Sequence, residues 1–434
     1  MPARRIVIIG GASAYTPGII ESIIREADVL EGFDIVLMDV DQERLTTVWR
    51  LSKQMVRASG RQFGVTMTLD RRVALKNADF VLTQYRIGGL AARAIDERLP
   101  MKYGLIGQET VGAGGLSFAW RSIPVAREIA REMAELCPEA WLLNYANPAR
   151  QVTEAILRDG AFTRVIGLCD EMVGVRDAIA RLMRVDHRRL ALDTFGINHC
   201  NWITNLTLDG WPVLPRLQRS ARFIPAGVLP DWRARVLVQL LRRFGAIPSP
   251  YLGYFYFGAE ALARQRRAQR TRAEEIMARL PAIYAHYDEQ AAAERPRLTK
   301  RRGVPGHGDL AVSVIAAIVA DRGDLQTVNI PGLGRMPGFR PGSVVELTAR
   351  IGRAGAEPVG DVTVPDGLAT QAALIRTVAA AEDLNIEAAM TGSVDKAVAA
   401  MAAHPLVGPR AAAPLTAELL AAHQDNLPQF ASGR

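Results

Sequence analysis

The chain is 434 residues long, 49% hydrophobic and 23% charged, an ordinary globular composition with apolar material for one long or two shorter domains. Its net charge of +8 comes from scattered arginines, often beside acids as in RRAQRTRAEE (266–275); with no aromatic-interleaved basic stripe, this speaks against nucleic acid and for a field drawing in small anions. The short apolar run after MPARR argues against a signal peptide or membrane span, and Cys137, Cys169 and Cys200 are too few and odd in number for a disulfide framework, so a cytoplasmic protein is expected.

In chain order, RIVIIGG (5–11) is a buried strand entering a glycine turn, TPGIIESIIREADVL (16–30) has helical periodicity, and DIVLMDVD (34–41) is a second strand ending in acids. A long helix through RLTTVWRLSKQMVRA (44–58) precedes a third strand, ADFVLTQY (78–85). A glycine-rich stretch, 83–124, reads as a long irregular and hence functional segment. It runs into a helix through SIPVAREIAREMAELC (122–137), a fourth strand AWLLNYAN (140–147) and a fifth, TRVIGLCD (163–170). Val-, Ile- and Leu-rich strands separated by helices predict an α/β chain built on a doubly wound parallel sheet, whose carboxyl strand ends gather ligands.

Those ends are rich in chemistry. The first opens on Gly10-Gly11-Ala12-Ser13, where glycines let backbone approach a pyrophosphate and the next helix offers its amides. This is not a strict GxGxxG, and the signal is weak alone. The second ends in Asp39 and Asp41, placed to accept from adenosine ribose hydroxyls, which favours NAD; the alternative is a solvated loop acid. The fourth ends in Asn144-Tyr145-Ala146-Asn147-Pro148 and the fifth in Cys169-Asp170. All these polar ends are expected to face one cleft.

Taken in order, IGGASAYTP (9–17), MDVDQERL (38–45), YRIGGLAARAIDERLPMKYGLIGQET (85–110), LNYANPA (143–149), GLC (167–169), GINH (196–199), SPYLGYFYF (249–257), VVELTARIG (344–352) and EDLNIEAAMTGSVDKAVAAMAAHPLV (382–407) resemble the NAD-dependent glycoside hydrolases of family 4. Lactate and malate dehydrogenases look similar across the first domain only. The resemblance implies a Rossmann-type NAD-binding domain over 1–195 and an α+β substrate-binding, metal-binding and oligomerisation domain over 196–434, assembled as a homodimer or homotetramer. It implies tightly bound NAD at Gly10, Gly11, Ser13, Ala14, Tyr15, Asp39 and Arg44, and a divalent ion, Mn2+, held by Cys169 and His199.

It further implies a general base in Tyr251, with Tyr254 and Tyr256 close by as the alternatives; a phenol, with an ordinary pKa of about 10, needs a nearby cation to ionise. The sugar is expected to meet Arg86, Arg93, Asn147, Asp170 and Asn198. The reaction implied is oxidation at sugar C3, loss of the C2 proton to Tyr251, expulsion of the C1 substituent, addition of water and return of the hydride. Cys137 and Cys200 are assigned to packing.

The sequence departs from that pattern after the cysteine. The β-specific members read Cys-Asn-x-Pro and certain α-specific ones Cys-Asp-x-Pro, whereas this chain reads Cys169-Asp170-Glu171-Met172. Asp170 is therefore expected to protonate the leaving group or bind a sugar hydroxyl, and Glu171 reads as a loop carboxylate. The extent of similarity points to the 6-phospho-β-glucosidase branch. RGVPGHGD (302–309) and Gly253 also depart from the family, and either gap, or His307, is expected to reshape the pocket for the C6 substituent. The alternatives are a 6-sulfonated, 6-carboxylated or neutral sugar with the same mechanism, a sugar or hydroxyacid dehydrogenase, and a dinucleotide sensor.

Overall fold

RIVII forms strand β1 (Arg5–Ile9), in which Ile6, Val7 and Ile8 are fully buried. In this computed structural model, which describes residues 4–225, 229, 231–303 and 308–433, five strands follow up to residue 167. They are β2 (Asp34–Met38), β3 (Gly64–Thr68), β4 (Phe80–Thr83), β5 (Trp141–Asn144) and β6 (Val165–Gly167). They pair in parallel in the order β3-β2-β1-β4-β5-β6, the doubly wound arrangement whose switch point lies between β1 and β4. Alternation puts Ile6 and Ile8 in one core and Val7 and Ile9 in the other, so both faces are covered.

A second, antiparallel sheet is built from β7 (Leu190–Ile197), β8 (Cys200–Leu208), β9 (Trp211–Pro212) and β10 (Ile247–Pro248). The chain then returns to the first sheet. Strands β11 (Asp324–Pro331), β12 (Val344–Gly352) and β13 (Gly355–Pro358) extend it antiparallel beyond β6. The join is the pair Asn329 with Gly167. A Cβ at Gly167 would meet Thr153 Oγ1 and lie 2.9 Å from Asn329 Cβ, so only glycine fits the seam.

Three sequence expectations give way here. Strand β3 and the helix Arg71–Leu75 were not foreseen, because β3 buries only Val65 and carries little apolar signal. The helix of 16–30 breaks at Glu26 into Thr16–Arg25 and Ala27–Leu30. The stretch 83–124 is mostly not irregular: it holds the helices Gly89–Lys102 and Gly112–Leu136. The glycines that suggested a loop serve close packing, since a Cβ at Gly114 would lie 2.7 Å from Asp96 O and one at Gly115 2.5 Å from the Thr110 backbone. The irregular parts are 84–88, which carries Arg86, and 103–111, which carries Glu109 and Thr110. Among the described residues, no helix is long and apolar enough to cross a membrane.

Candidate active site

The carboxyl ends of β1, β2, β4, β5 and β6 open into one cleft of about 1500 Å³. Of the residues expected from sequence, Gly10, Ser13, Ala14, Tyr15, Asp39, Arg44, Arg86, Arg93, Asn147, Cys169, Asp170, His199 and Tyr251 line it. Gly11 and Asn198 do not.

At the β1 end, Gly10 has φ +88° and its absent Cβ would press 2.9 Å from the Gln84–Tyr85 peptide. Gly11 has a packing reason instead, since a Cβ there would come 2.9 Å from Met38 N. The helix Thr16–Arg25 that follows has no side chain capping its first turn, leaving a dipole end suited to an anion. Asp39 accepts from Ala12 N at 2.9 Å and Val40 N at 2.8 Å, which fixes its carboxylate at the cleft wall. The glycine turn is also held from outside: Tyr284 and Tyr287, from the helix Arg272–Ala292, donate to Ala12 O at 2.8 Å and Ala14 O at 2.7 Å. Neither tyrosine carries a local signal, because the contact spans more than 270 residues. These features fit a dinucleotide.

Deeper in the cleft, three groups converge from separate elements. Cys169 stands at the end of β6, as N-cap of the helix Asp170–Met183. His199 occupies the two-residue turn between β7 and β8 with φ +63°, a left-handed conformation costly for a side chain with a Cβ. Their Sγ and Nε2 atoms are 3.4 Å apart. Tyr251 lies over the imidazole, and its phenol is hydrogen-bonded by Thr110.

Electrostatics make the cluster cation-hungry. Burial pulls His199 down to about 3, so its imidazole is neutral with a lone pair to give. Burial, then the carboxylates of Glu346 and Glu171, push the Cys169 thiol well above the ordinary range. Burial and the acids Glu171 and Glu109 likewise raise the Tyr251 phenol. Thiol and phenol ionise more readily beside a strong positive charge, and a divalent metal on the Cys169–His199 pair would supply one.

The structure revises several expectations for the sugar site. Arg86 and Arg93 reach the cleft but are not open forks: Glu109 bridges them at 2.5 and 2.7 Å, and Arg93 also holds Glu97 at 2.8 Å. Asn198 faces away, donating to Glu346 Oε1 at 3.0 Å and hydrogen-bonding Cys169. Asn201 and Asn329 hold the same Glu346 carboxylate, so Asn198 braces the turn that presents His199. Gly253 makes no gap in a pocket, because a Cβ there would lie 2.8 Å from Trp232, which already fills the space. His307 lies outside the described residues.

Asn147 lines the cleft with its Oδ1 buried and without a protein hydrogen-bond partner. Asp170 accepts from Tyr145 OH. Met172, in place of the proline, is buried with Val175, Ile203 and Ile247 and leaves the helix start intact. Glu171 is no loop carboxylate: it sits in the first turn of that helix and joins Cys169 and His199 in one group of possible ligands. Burial and the nearby Glu346 raise it to about 8.

Two family models match the chain: family 4 glycosyl hydrolase over residues 5–185 and its C-terminal domain over 194–407. A probable 6-phospho-β-glucosidase of Bacillus subtilis (strain 168) is 36% identical and a 6-phospho-β-glucosidase of Escherichia coli (strain K12) 34%, over 98% of this chain and 98% and 97% of theirs. A 6-phospho-α-glucosidase of Leptotrichia buccalis is 27% identical over 90% of this chain and 91% of its own. The fold matches a Thermotoga maritima 6-phospho-β-glucosidase solved with manganese, NAD+ and glucose-6-phosphate, at TM-score 0.88 and 26% identity over 98% of this chain and 99% of that one. The dehydrogenase likeness is wider than the first domain: a malate dehydrogenase of Picrophilus torridus aligns over 89% of this chain and 98% of its own at TM-score 0.58, though only 13% identical.

Proposed function

The chain belongs to the family 4 glycosyl hydrolases, and from that premise we propose that it cleaves 6-phospho-β-glucosides using NAD and a divalent ion, Mn2+. The carrying observation is the meeting of Cys169, His199 and Tyr251 in the dinucleotide cleft. The β configuration is supported by the higher identity to the two β-glucosidases than to the α-glucosidase.

In this reading the glycine turn, Asp39 and Arg44 hold the dinucleotide, and Cys169 and His199 hold the ion. Bound there, NAD supplies a reversible hydride acceptor and the metal a Lewis acid beside the sugar. The protein's own part is to place proton carriers on either side of C1 and C2. Tyr251, steadied by Thr110 and His199, takes the C2 proton. Asp170, held by Tyr145 OH, stands to protonate the leaving group. Asn147 Oδ1 receives a hydroxyl or amide. Glu109 clamps Arg86 and Arg93 so that their charge is present but their forks are fixed.

The cysteines are unpaired among the described residues, which supports a cytoplasmic setting, and assembly as a homodimer or homotetramer is part of the same reading. The test is aglycone release from paired α and β 4-nitrophenyl glucosides, each with and without a 6-phosphate, in NAD+ and Mn2+ and again with chelator. Release is expected from the phosphorylated β substrate alone and lost with chelator. No release from any substrate would sink the proposal, and net NADH accumulation on a free sugar phosphate would favour a dehydrogenase.

A further inference from the structure

Glu171 has no task so far, and its surroundings suggest one. Its Oε1 accepts from Ser249 Oγ, while its Oε2 is buried with no hydrogen-bond partner. A carboxylate oxygen in that state carries an unmet desolvation cost that a cation would remove. One ligand atom each from Cys169, Glu171 and His199 lie within 4.8 Å of one another. A thiolate and an imidazole on one ion stand roughly 3.1 to 3.6 Å apart by their usual bond lengths, and the observed separation is 3.4 Å.

We propose that Glu171 is a third protein ligand, so that this chain holds its ion in a Cys169–Glu171–His199 site with Ser249 orienting the carboxylate. The proposal rests on the reading that a divalent ion binds at Cys169 and His199. Charge favours it. While Tyr251 keeps its proton, a thiolate and a neutral imidazole leave a buried divalent ion with one uncompensated charge, and one carboxylate balances it. Donor type favours it too. Sulfur and nitrogen alone suit zinc, whereas an added carboxylate oxygen shifts the preference toward Mn2+. The residue occupies the position after Asp170 in the stretch where the missing proline marked a departure, and Met172 holds the helix turn that carries it.

The experiment is Mn2+ titration of the full-length protein with NAD+ present, read as loss of the free-ion electron paramagnetic resonance signal, with Zn2+ affinity read in competition as the return of the free Mn2+ signal. Glu171→Gln keeps shape and removes the charge; it is expected to weaken Mn2+ at least tenfold, on the order of the loss seen when even outer partners are removed, and to weaken Zn2+ less. Unchanged Mn2+ affinity in Glu171→Gln, while Cys169→Ser and His199→Ala lose the ion, overturns this inference alone. If the unaltered protein takes up no Mn2+, or if Cys169→Ser and His199→Ala bind as it does, the metal reading fails and this inference with it. Should Glu171→Gln not fold, as judged by its thermal transition, Ser249→Ala decides: it must weaken Mn2+ several-fold, and undiminished binding there overturns the proposal.

Discussion

The rings of Tyr251 and His199 are stacked, with centroids 4.1 Å apart and 26° between their planes. One residue comes from the turn after β10, the other from the turn between β7 and β8. The stack ties the proposed base to the proposed metal ligand, so the phenol's position does not depend on its hydroxyl's bond to Thr110 alone. Tyr251→Phe should therefore keep the fold and the ring contact while kcat falls roughly 10²- to 10⁴-fold, the usual worth of a general base. Steady-state kinetics alongside a melting curve will check this. A loss in KM alone would mean that the phenol binds sugar and moves no proton.

Asp170 and Tyr145 form a second hydrogen-bonded pair in the cleft lining. Asp170→Asn should cost little on an activated nitrophenyl glycoside and much more on an alkyl glycoside phosphate, because only a poor leaving group needs a proton. Equal losses on the two would remove Asp170 from the acid role.

Glu109 sits between Arg86 and Arg93. Glu109→Gln leaves the half-buried Arg86 without this counter-charge and the buried Arg93 with Glu97 alone, a change expected to cost about 1 to 3 kcal/mol, less than the loss of a fully buried pair. The variant should also gain more stability from added phosphate than the unaltered protein does, since the freed forks can take an oxyanion. Urea titrations with and without phosphate measure both effects.

Gly253 backs onto Trp232. Gly253→Ala should lower stability by about 1 to 3 kcal/mol through overpacking, with the choice between phosphorylated and unphosphorylated substrate unaltered. A changed preference would return Gly253 to the pocket for the C6 group.

His404 offers a pH test away from the cleft. It is buried, its Nδ1 accepts from Leu406 N at 3.1 Å, and burial pulls it down to about 4. Its folded pKa lies below the unfolded value of about 6.5, so the unfolded chain binds the extra proton first. The contribution to stability is therefore complete above pH 6.5 and declines as pH falls toward 4, by roughly 2 to 4 kcal/mol. His404→Asn, whose amide oxygen can take the same backbone hydrogen bond, should flatten that part of the difference profile in urea midpoints.

Much of this molecule was legible in its residues. Apolar strands ending in Gly10, Asp39, Asn147 and Cys169 predicted a parallel sheet with its chemistry at one edge, because alternation and strand-end polarity are local properties that the chain carries with it. The motifs around Cys169, His199 and Tyr251 marked the three residues that the fold brings together. Local signals also misled: glycines at 112–115 looked like loop although they serve helix packing, and β3 was invisible because it buries one side chain.

What only the tertiary structure decided are relations between residues far apart in sequence. Nothing near Arg86 announces that Glu109 will occupy its fork, nothing near Asn198 that Glu346 will claim its amide across almost 150 residues, and nothing near Ala12 and Ala14 that Tyr284 and Tyr287 will hold them. The same holds for Glu171. In the sequence it is one acid after another, and only its fixed place in the first turn of the helix sets its carboxylate near Cys169 and His199 with one oxygen buried and without a hydrogen-bond partner. Residue type and spacing dictate which groups are available. Burial, which sets their charge, and partnership, which sets their direction, exist only once the chain has closed on itself.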